Sequence, residues 1–378
     1  MTATATATAT ATPASLAEAD ALHARVLAKI AGGGEPFDAL AASIARHQAR
    51  YSAGYARLCA ARGVDPERDP PSALPAVPTD AFKLARVATF PEALDAAVFR
   101  TSGTTAGARG AHAMRTLSTY HDAAMVGAAS TLFAPFGARA RIVAVAPSPA
   151  QTPESSLSRM LGWFVEERGD ARSAFVRPDD VDEAIDTLER AALDGPLLVL
   201  ATAFAWVHLI DRLDGRCVPL PRGSRAMQTG GFKGRSRELS AEELRGLIAS
   251  TFELPREEVV GEYGMTELTS QLWATPEVGS TADRWLYRAP PWVRVTACDP
   301  ATLQPLPLAS RGIARIEDLG NVESAWAIQT ADEVIVHEGG AVELLGRLPG
   351  ATPRGCSLAV EELVSSPEVE ELVSGERP

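Results

Sequence analysis

Lysine is almost missing from this chain of 378 residues: only Lys29, Lys83 and Lys233 occur, so arginine carries most of the positive charge. The net charge of −12 argues against a general nucleic-acid partner or an anionic membrane surface, because a phosphate-rich surface repels an acidic chain. Cysteine is scarce as well. Cys59, Cys217, Cys298 and Cys356 lie far apart without a C-x-x-C pair, which fits reduced thiols rather than a disulfide scaffold or a zinc site. The histidines show neither H-E-x-x-H nor H-x₃-H spacing, so no dedicated transition-metal site is expected. No G-x-x-x-x-G-K-[ST] loop occurs. The longest apolar run, Pro196 to Ile210, is too short to span a bilayer and contains His208. The Thr-Ala repeat of residues 1–13 lacks the basic start and apolar centre of a signal peptide. It is expected to be low-complexity and disordered, and a cytoplasmic location is the resulting expectation.

What is present is an ordinary globular composition, 46% hydrophobic and 22% charged, in a chain long enough for roughly two or three cores. Its most distinctive stretch is Thr101-Ser-Gly-Thr-Thr-Ala-Gly-Ala-Arg-Gly110, one residue after the apolar run Ala96 to Phe99. Glycines let successive backbone N–H groups converge on an anion, and the hydroxyls add neutral donors. Arg109 adds fixed positive charge at the far edge. A phosphate cradle and an exposed flexible turn are both compatible with these residues alone.

The rest of the chain alternates helical and strand patterns. Leu16, Leu22, Val26 and Ile30 recur at helical spacing, and Phe37 to Cys59 repeats it. A Pro-rich connection, Pro66 to Pro78, leads to Lys83 and Arg86 ahead of the glycine loop. Buried strands are expected at Arg141–Ala146 and Pro196–Thr202, and further strands at Arg225–Gly231 and Glu257–Tyr263. Helices are expected at Ser118–Phe133, Val181–Leu193, Ala203–Leu213 and Ser240–Phe252. That alternation implies an α/β fold with a parallel or mixed sheet. From Pro276 to Gly346, short Val/Trp/Arg segments between Pro/Gly/Asp turns imply a small β-barrel or antiparallel sheet. The expected segments are 1–13, 14–275 (two αβ subdomains), 276–347 (small β) and 348–378.

Several motifs in order resemble the adenylate-forming superfamily of acyl-CoA synthetases, luciferases and adenylation domains, over residues 80 to 370. The glycine loop resembles its phosphate loop T-S-G-T-T-G-x-P-K-G, with Ala108 for the proline and Arg109 for the lysine. Gly261-Glu-Tyr-Gly-Met-Thr-Glu267 resembles its Y-G-x-T-E signature, Gly230-Gly231 its adenine-pocket glycines, Gln329-Thr-Ala-Asp332 its T-G-D, and Gly346-Arg347 its hinge. The resemblance implies ATP and Mg²⁺. Thr101, Ser102, Gly103, Thr104, Thr105 and Gly107 would cradle phosphate, and Gly230, Gly231, Tyr263 and Gly264 would receive adenine. Thr266 would touch the α-phosphate, Glu267 would hold the metal, and Asp332 would bind ribose near Arg347. Asp318 in Glu317-Asp-Leu-Gly-Asn321 competes with Asp332 for the ribose; Asp332 is preferred because Gly346-Arg347 follows it.

Departures from the family narrow the expectation. After the hinge only Leu348 to Pro378 follow, fewer than the roughly 50 residues of a minimal domain. No lysine lies there, so Arg109 or Arg347 is expected to neutralise the developing charge. Ser357 to Glu370 resembles the first strand and helix of that otherwise truncated domain. With Pro78-Thr-Asp-Ala-Phe-Lys83 and Arg354-Gly-Cys-Ser357, this shortened form is similar to the acyl-protein synthetases of bacterial fatty-acid reductase systems. Those activate a fatty acid as acyl-AMP, take it onto a C-terminal cysteine and pass it to a reductase. By that resemblance Cys356 is the acceptor, expected in a partly exposed, electropositive setting that lowers its pKa; a buried small hydrophobe is its structural alternative. His112 either orients the substrate carboxylate or caps a strand. Trp206 and His208 fall where the family lines its acyl pocket or, equally, in a helix–sheet core, and Tyr120 and His121 read as structural. The implied partners are a carboxylic acid and an acyl-reductase or acyl-carrier protein, with no nucleic acid and no membrane span. A coenzyme A ligase of the phenylacetate type and a non-catalytic nucleotide- or acyl-binding subunit are the alternatives.

Overall fold

The computed structural model describes residues 12–101, 109–230, 239–274, 285–348 and 354–363. Helices α1 (Pro13–Ile30), α2 (Phe37–Tyr51) and α3 (Ala53–Ala61) open the chain. Thr12 and Ser15 close a capping box over the start of α1, with Pro13 in its first turn. The helical pattern expected from Phe37 to Cys59 breaks at Ser52, whose extended backbone (φ −120°) ends α2. The same hydroxyl then accepts the Tyr55 N–H and caps α3.

Next come β1 (Val77–Pro78), α4 (Ala81–Leu84), β2 (Ala97–Arg100) and β3 (Ala111–Met114), then α5 (Ser118–Ala129). An alternating series follows: β4 (Arg141–Val145), α6 (Ser156–Trp163), β5 (Ala174–Val176), α7 (Val181–Ala192), β6 (Leu197–Thr202), α8 (Ala203–Leu213), β7 (Arg225–Thr229), α9 (Ala241–Thr251) and β8 (Val259–Tyr263). The chain continues through β9 (Leu272–Ala274), β10 (Tyr287–Arg288), β11 (Val293–Cys298), β12 (Arg311–Asp318), β13 (Ala327–Val336), β14 (Ala341–Arg347) and α10 (Arg354–Leu363).

The chain divides into two compact units, 1–123 with 266–270 and 289–378, and 124–265 with 271–288. In the second unit β5, β4, β6, β7 and β8 pair in parallel, and β9 and β10 add antiparallel strands beyond β8. Leu197, Leu198, Val199 and Leu200 are all fully buried, as expected of a strand covered on both faces. Asp180 caps α7, which buries Ala184, Ile185 and Leu188, and Ser240 and Glu243 form a capping box on α9.

In the first unit β11, β12, β13 and β14 form an antiparallel sheet, with β1 parallel to β13. Of the expected small β-barrel or antiparallel sheet, these strands pair as an antiparallel sheet, and among the described residues no pairing of β11 with β14 occurs. Within this unit, helices α2 and α3 dock on the sheet through polar as well as apolar contacts. Gln48 is fully buried; its Nε2 donates to Asn321 O (2.7 Å) and its Oε1 accepts from Trp326 N (3.1 Å). The Trp326 indole donates to Tyr55 Oη at 2.9 Å. Past the hinge, where a first strand and helix are expected over Ser357 to Glu370, the described part, Ser357 to Leu363, is helical throughout in α10.

Candidate functional site

The glycine loop joins β2 and β3, which pair antiparallel from Ala97↔Met114 to Arg100↔Ala111. Ser102, Gly103, Thr104, Thr105 and Gly107 lie outside the described residues; the base of the loop does not. Thr101 and Gly110 close it twice, Thr101 N to Gly110 O and Gly110 N to Thr101 Oγ1, each 2.9 Å. Arg109 Nε donates to Thr101 O at 2.7 Å, so its guanidinium braces the entry strand. Lys83 stands against the same base: its Cγ lies 3.6 Å from where a Cβ on Gly110 would be. Its ammonium donates to Asp80 Oδ1 at 2.6 Å.

The second signature crosses the division of the chain: Tyr263 and Gly264 belong to one unit, Thr266 and Glu267 to the other. The segment 266–270 is clamped by residues whose role the sequence did not disclose. His112 Nδ1 contacts Thr266 O at 2.8 Å, and its Nε2 contacts Ser324 Oγ at 2.9 Å. A carbonyl only accepts, so Nδ1 carries the proton and Nε2 accepts from the serine hydroxyl. Burial pushes the imidazole down to about 4, only partly opposed by the Thr266 bond. His112 is therefore a neutral, 2% exposed strut with both nitrogens engaged, not a group presented to a substrate carboxylate.

Asn321 Nδ2 donates to Glu267 O (2.9 Å), and Asn321 Oδ1 accepts from Thr269 Oγ1 (2.5 Å). Asp318 is fully buried and accepts from Thr269 N (2.9 Å), Ser270 N (2.8 Å), Ser270 Oγ (2.8 Å) and Gly320 N (2.9 Å). The Glu317-Asp-Leu-Gly-Asn321 stretch, a competing ribose candidate by sequence, is thus the clamp on the Thr266–Ser270 segment. Asp332, the preferred candidate, sits on β13 directly opposite Arg347 on β14. Arg347 Nε lies 3.5 Å from its Oδ1, with the arginine side chain 67% exposed.

In the second unit β7 ends in Thr229, followed by Gly230 (φ +73°), and β8 ends in Glu262 and Tyr263. Gly231 lies outside the described residues. Tyr263 packs edge-on to Tyr287 at 6.4 Å. Glu262 is 5% exposed and accepts from the Thr229 hydroxyl. Burial pushes it up to about 7, against the lowering effect of that bond. Trp206 is fully buried, donates to Met227 O at 2.9 Å and packs edge-on to Phe252, so it belongs to the core. His208 packs on Phe204 with the rings tilted, centroids 4.0 Å apart. Tyr120 is buried edge-on to Phe99, and His121 pairs with Asp122.

Cys356 overturns the expectation of an exposed, activated thiol. It lies in α10, 2% exposed, in an apolar cluster with Cys298, Ile313, Leu303 and Leu348. Burial pushes the thiol up to about 12, and the Asp80 carboxylate and Cys298 push the same way. The reason is tertiary. Helix α10 packs on α3 and β1, Arg57 Nη2 donates to Leu363 O at 2.6 Å, and Arg62 pairs with Glu362 at 2.7 Å. No group of three or more His, Cys, Asp or Glu able to hold a metal occurs among the described residues. Glu267, which the sequence resemblance implies as the metal residue, is 6% exposed.

No family model matches the sequence. A long-chain-fatty-acid–luciferin-component ligase of Vibrio harveyi is 28% identical over 141 residues, which is 35% of this chain and 35% of that protein's length. A 2-hydroxyisobutyryl-CoA ligase in the postadenylation state, in complex with R3-HIB-AMP, superposes with a TM-score of 0.61 at 14% identity over 87% of this chain and 73% of that one. ATP-bound MatB from Rhodopseudomonas palustris is 17% identical, with a TM-score of 0.46, over 67% of this chain and 48% of its own. No helix among the described residues is long and apolar enough to cross a membrane. The chain carries the fold of the adenylate-forming ligases, and along 141 residues its sequence resembles a ligase of long-chain fatty acids.

Proposed function

We propose that this protein activates a carboxylic acid, a fatty acid by preference, with ATP to give an acyl-adenylate and pyrophosphate, and then transfers the acyl group to a thiol. The observation that carries the proposal is the placement of Asp332. It faces the hinge Arg347 in register on adjacent strands, while the competing Asp318 is spent as a clamp. The match to a ligase named for long-chain fatty acids supports the substrate class.

In this reading the carboxylate oxygen attacks the α-phosphorus and pyrophosphate leaves, so catalysis is positioning plus charge neutralisation. The glycine loop would cradle phosphate. Lys83 and Arg109, both against the loop base, would be the cations that offset the developing charge, with Arg347 at the hinge. Glu267, its backbone fixed by Asn321, would rest on the Mg²⁺ that accompanies ATP. Asp332 would accept from the ribose hydroxyls, and Thr266, held by His112, would meet the α-phosphate.

In the second step a thiolate attacks the acyl carbonyl, the C–O bond to phosphate breaks, AMP leaves and the thiol proton passes to solvent. Cys356 performs this step only after α10 releases it, since a thiol pushed up to about 12 holds its proton at neutral pH. The same burial favours a second reading in which an external thiol, coenzyme A or a carrier protein, is the acceptor. A reductase that consumes the thioester is the implied partner in the first reading. The test is ATP–pyrophosphate exchange with a panel of fatty and aryl acids, followed by intact-protein mass spectrometry. Exchange plus an acyl adduct that disappears in Cys356→Ser supports self-acylation. Exchange without adduct, with turnover on coenzyme A, supports the second reading. ATP binding without exchange on any acid would sink both and leave a nucleotide-binding subunit.

A further inference from the structure

The two strand ends assigned above to the adenine pocket share one buried side chain. Glu262 is 5% exposed near the end of β8. Its Oε2 accepts from the hydroxyl of Thr229, the last residue of β7 and the neighbour of Gly230. Its Oε1 reaches the other way and lies 2.5 Å from where a Cβ on Gly264 would be. A side chain at position 264 would have to displace that oxygen, and Gly264 is not among the glycines with positive φ. The space beside the glycine of the Y-G signature is thus taken by a carboxyl group. Gly261 is held more rigidly, since its Cβ would fall 2.7 Å from Tyr287 Oη and 2.9 Å from the Trp285 ring. Gln271 Cγ, 3.4 Å from the same Cβ position on Gly264, completes the support.

We infer that Glu262 is a positioning residue for the nucleotide, holding the Tyr263–Gly264 turn at a fixed distance from the Thr229–Gly230 turn. A carboxyl group buried with a single hydroxyl donor is costly by itself. Placed between two strand ends at the carboxyl edge of a parallel sheet, where α/β folds bind ligands, it sets the spacing of the two walls. Glu262 acts through Tyr263 and Gly264 and touches no reacting atom. The inference rests on the proposed adenylating function and extends it.

The test measures ATP affinity by calorimetry, and ATP KM and kcat by pyrophosphate exchange with long-chain fatty acid, in Glu262→Ala, Glu262→Gln and Thr229→Val. The alanine and valine variants are expected to weaken ATP by about tenfold in Kd and KM with kcat within about threefold. The glutamine variant, which keeps the shape and an acceptor for Thr229, is expected to restore affinity to within about twofold. If Glu262→Ala does not fold, Thr229→Val carries the result alone. Unchanged ATP affinity in folded Thr229→Val or Glu262→Ala would overturn the inference and leave the adenylating function standing. Absence of ATP binding by the unmodified protein would instead overturn the function on which the inference rests.

Discussion

Glu262 and Cys356 are both buried titratable groups, and the physics of burial separates them. Burial raises the folded-state pKa of Glu262 to about 7 from 4.5, so the folded protein holds this proton more tightly than the unfolded chain. Its contribution to stability is complete below about pH 4.5 and is lost as pH rises through 7. The difference amounts to about 3 kcal/mol. The charged and titratable groups around it are Tyr287 on β10, with Glu242 and Arg245 on α9 acting on that tyrosine. Denaturant unfolding at pH 5 and pH 8 is expected to show a smaller pH-dependent loss in Glu262→Gln than in the unmodified protein; equal losses would remove Glu262 as the cause. For Cys356 the readout is reactivity. A thiol reagent on the native protein is expected to modify the exposed Cys217 first, and Cys356 only on the time scale of opening.

Element by element, segment 266–270 and helix α10 are each held by contacts from distant parts of the chain. Asp318→Ala leaves three backbone N–H groups and a serine hydroxyl without their acceptor. The expected cost is about 3 kcal/mol or more, visible as a lowered denaturation midpoint; a cost below about 1 kcal/mol would mean that the clamp contributes little. Helix α10 is tied by Arg57 to its last carbonyl, and Gly54 admits it, with Leu363 Cδ2 3.2 Å from a Cβ built there. Arg57→Ala is expected to speed labelling of Cys356 about fivefold, the equivalent of about 1 kcal/mol. The partly exposed pair Arg62–Glu362 is worth less, so Arg62→Ala is expected to change labelling by under about threefold. Equal effects of the two substitutions would show that the Leu363 carbonyl is not the main tie.

At the scale of the whole molecule, the proposed function turns on whether adenylation and thiol transfer are separable. Cys356→Ser changes one atom in an apolar cluster and leaves the glycine loop, Glu267 and Asp332 untouched. It is therefore expected to retain pyrophosphate exchange within about twofold while losing any covalent acyl adduct. Loss of exchange in a folded Cys356→Ser protein would mean that the seat of α10 also shapes the adenylation step.

The sequence by itself determined the order of the strands and helices around the signatures, because period and turn chemistry are local properties. Arg141–Val145, Leu197–Thr202 and Val181–Ala192 fall where their patterns place them. It also determined the motif order of the glycine loop, the Y-G-x-T-E signature, Asp332 and Arg347. Only the tertiary structure decided what depends on residues far apart in the chain. Asp318 became a clamp because Thr269 and Ser270 present their N–H groups to it across 48 and more positions. His112 became a neutral strut because Thr266 and Ser324 take both of its nitrogens. Cys356, flanked in sequence by an arginine and a glycine that promised exposure, was buried because α3 and the antiparallel sheet close over it. Burial and charge environment are sums over neighbours in space, and the local sequence holds few of those neighbours.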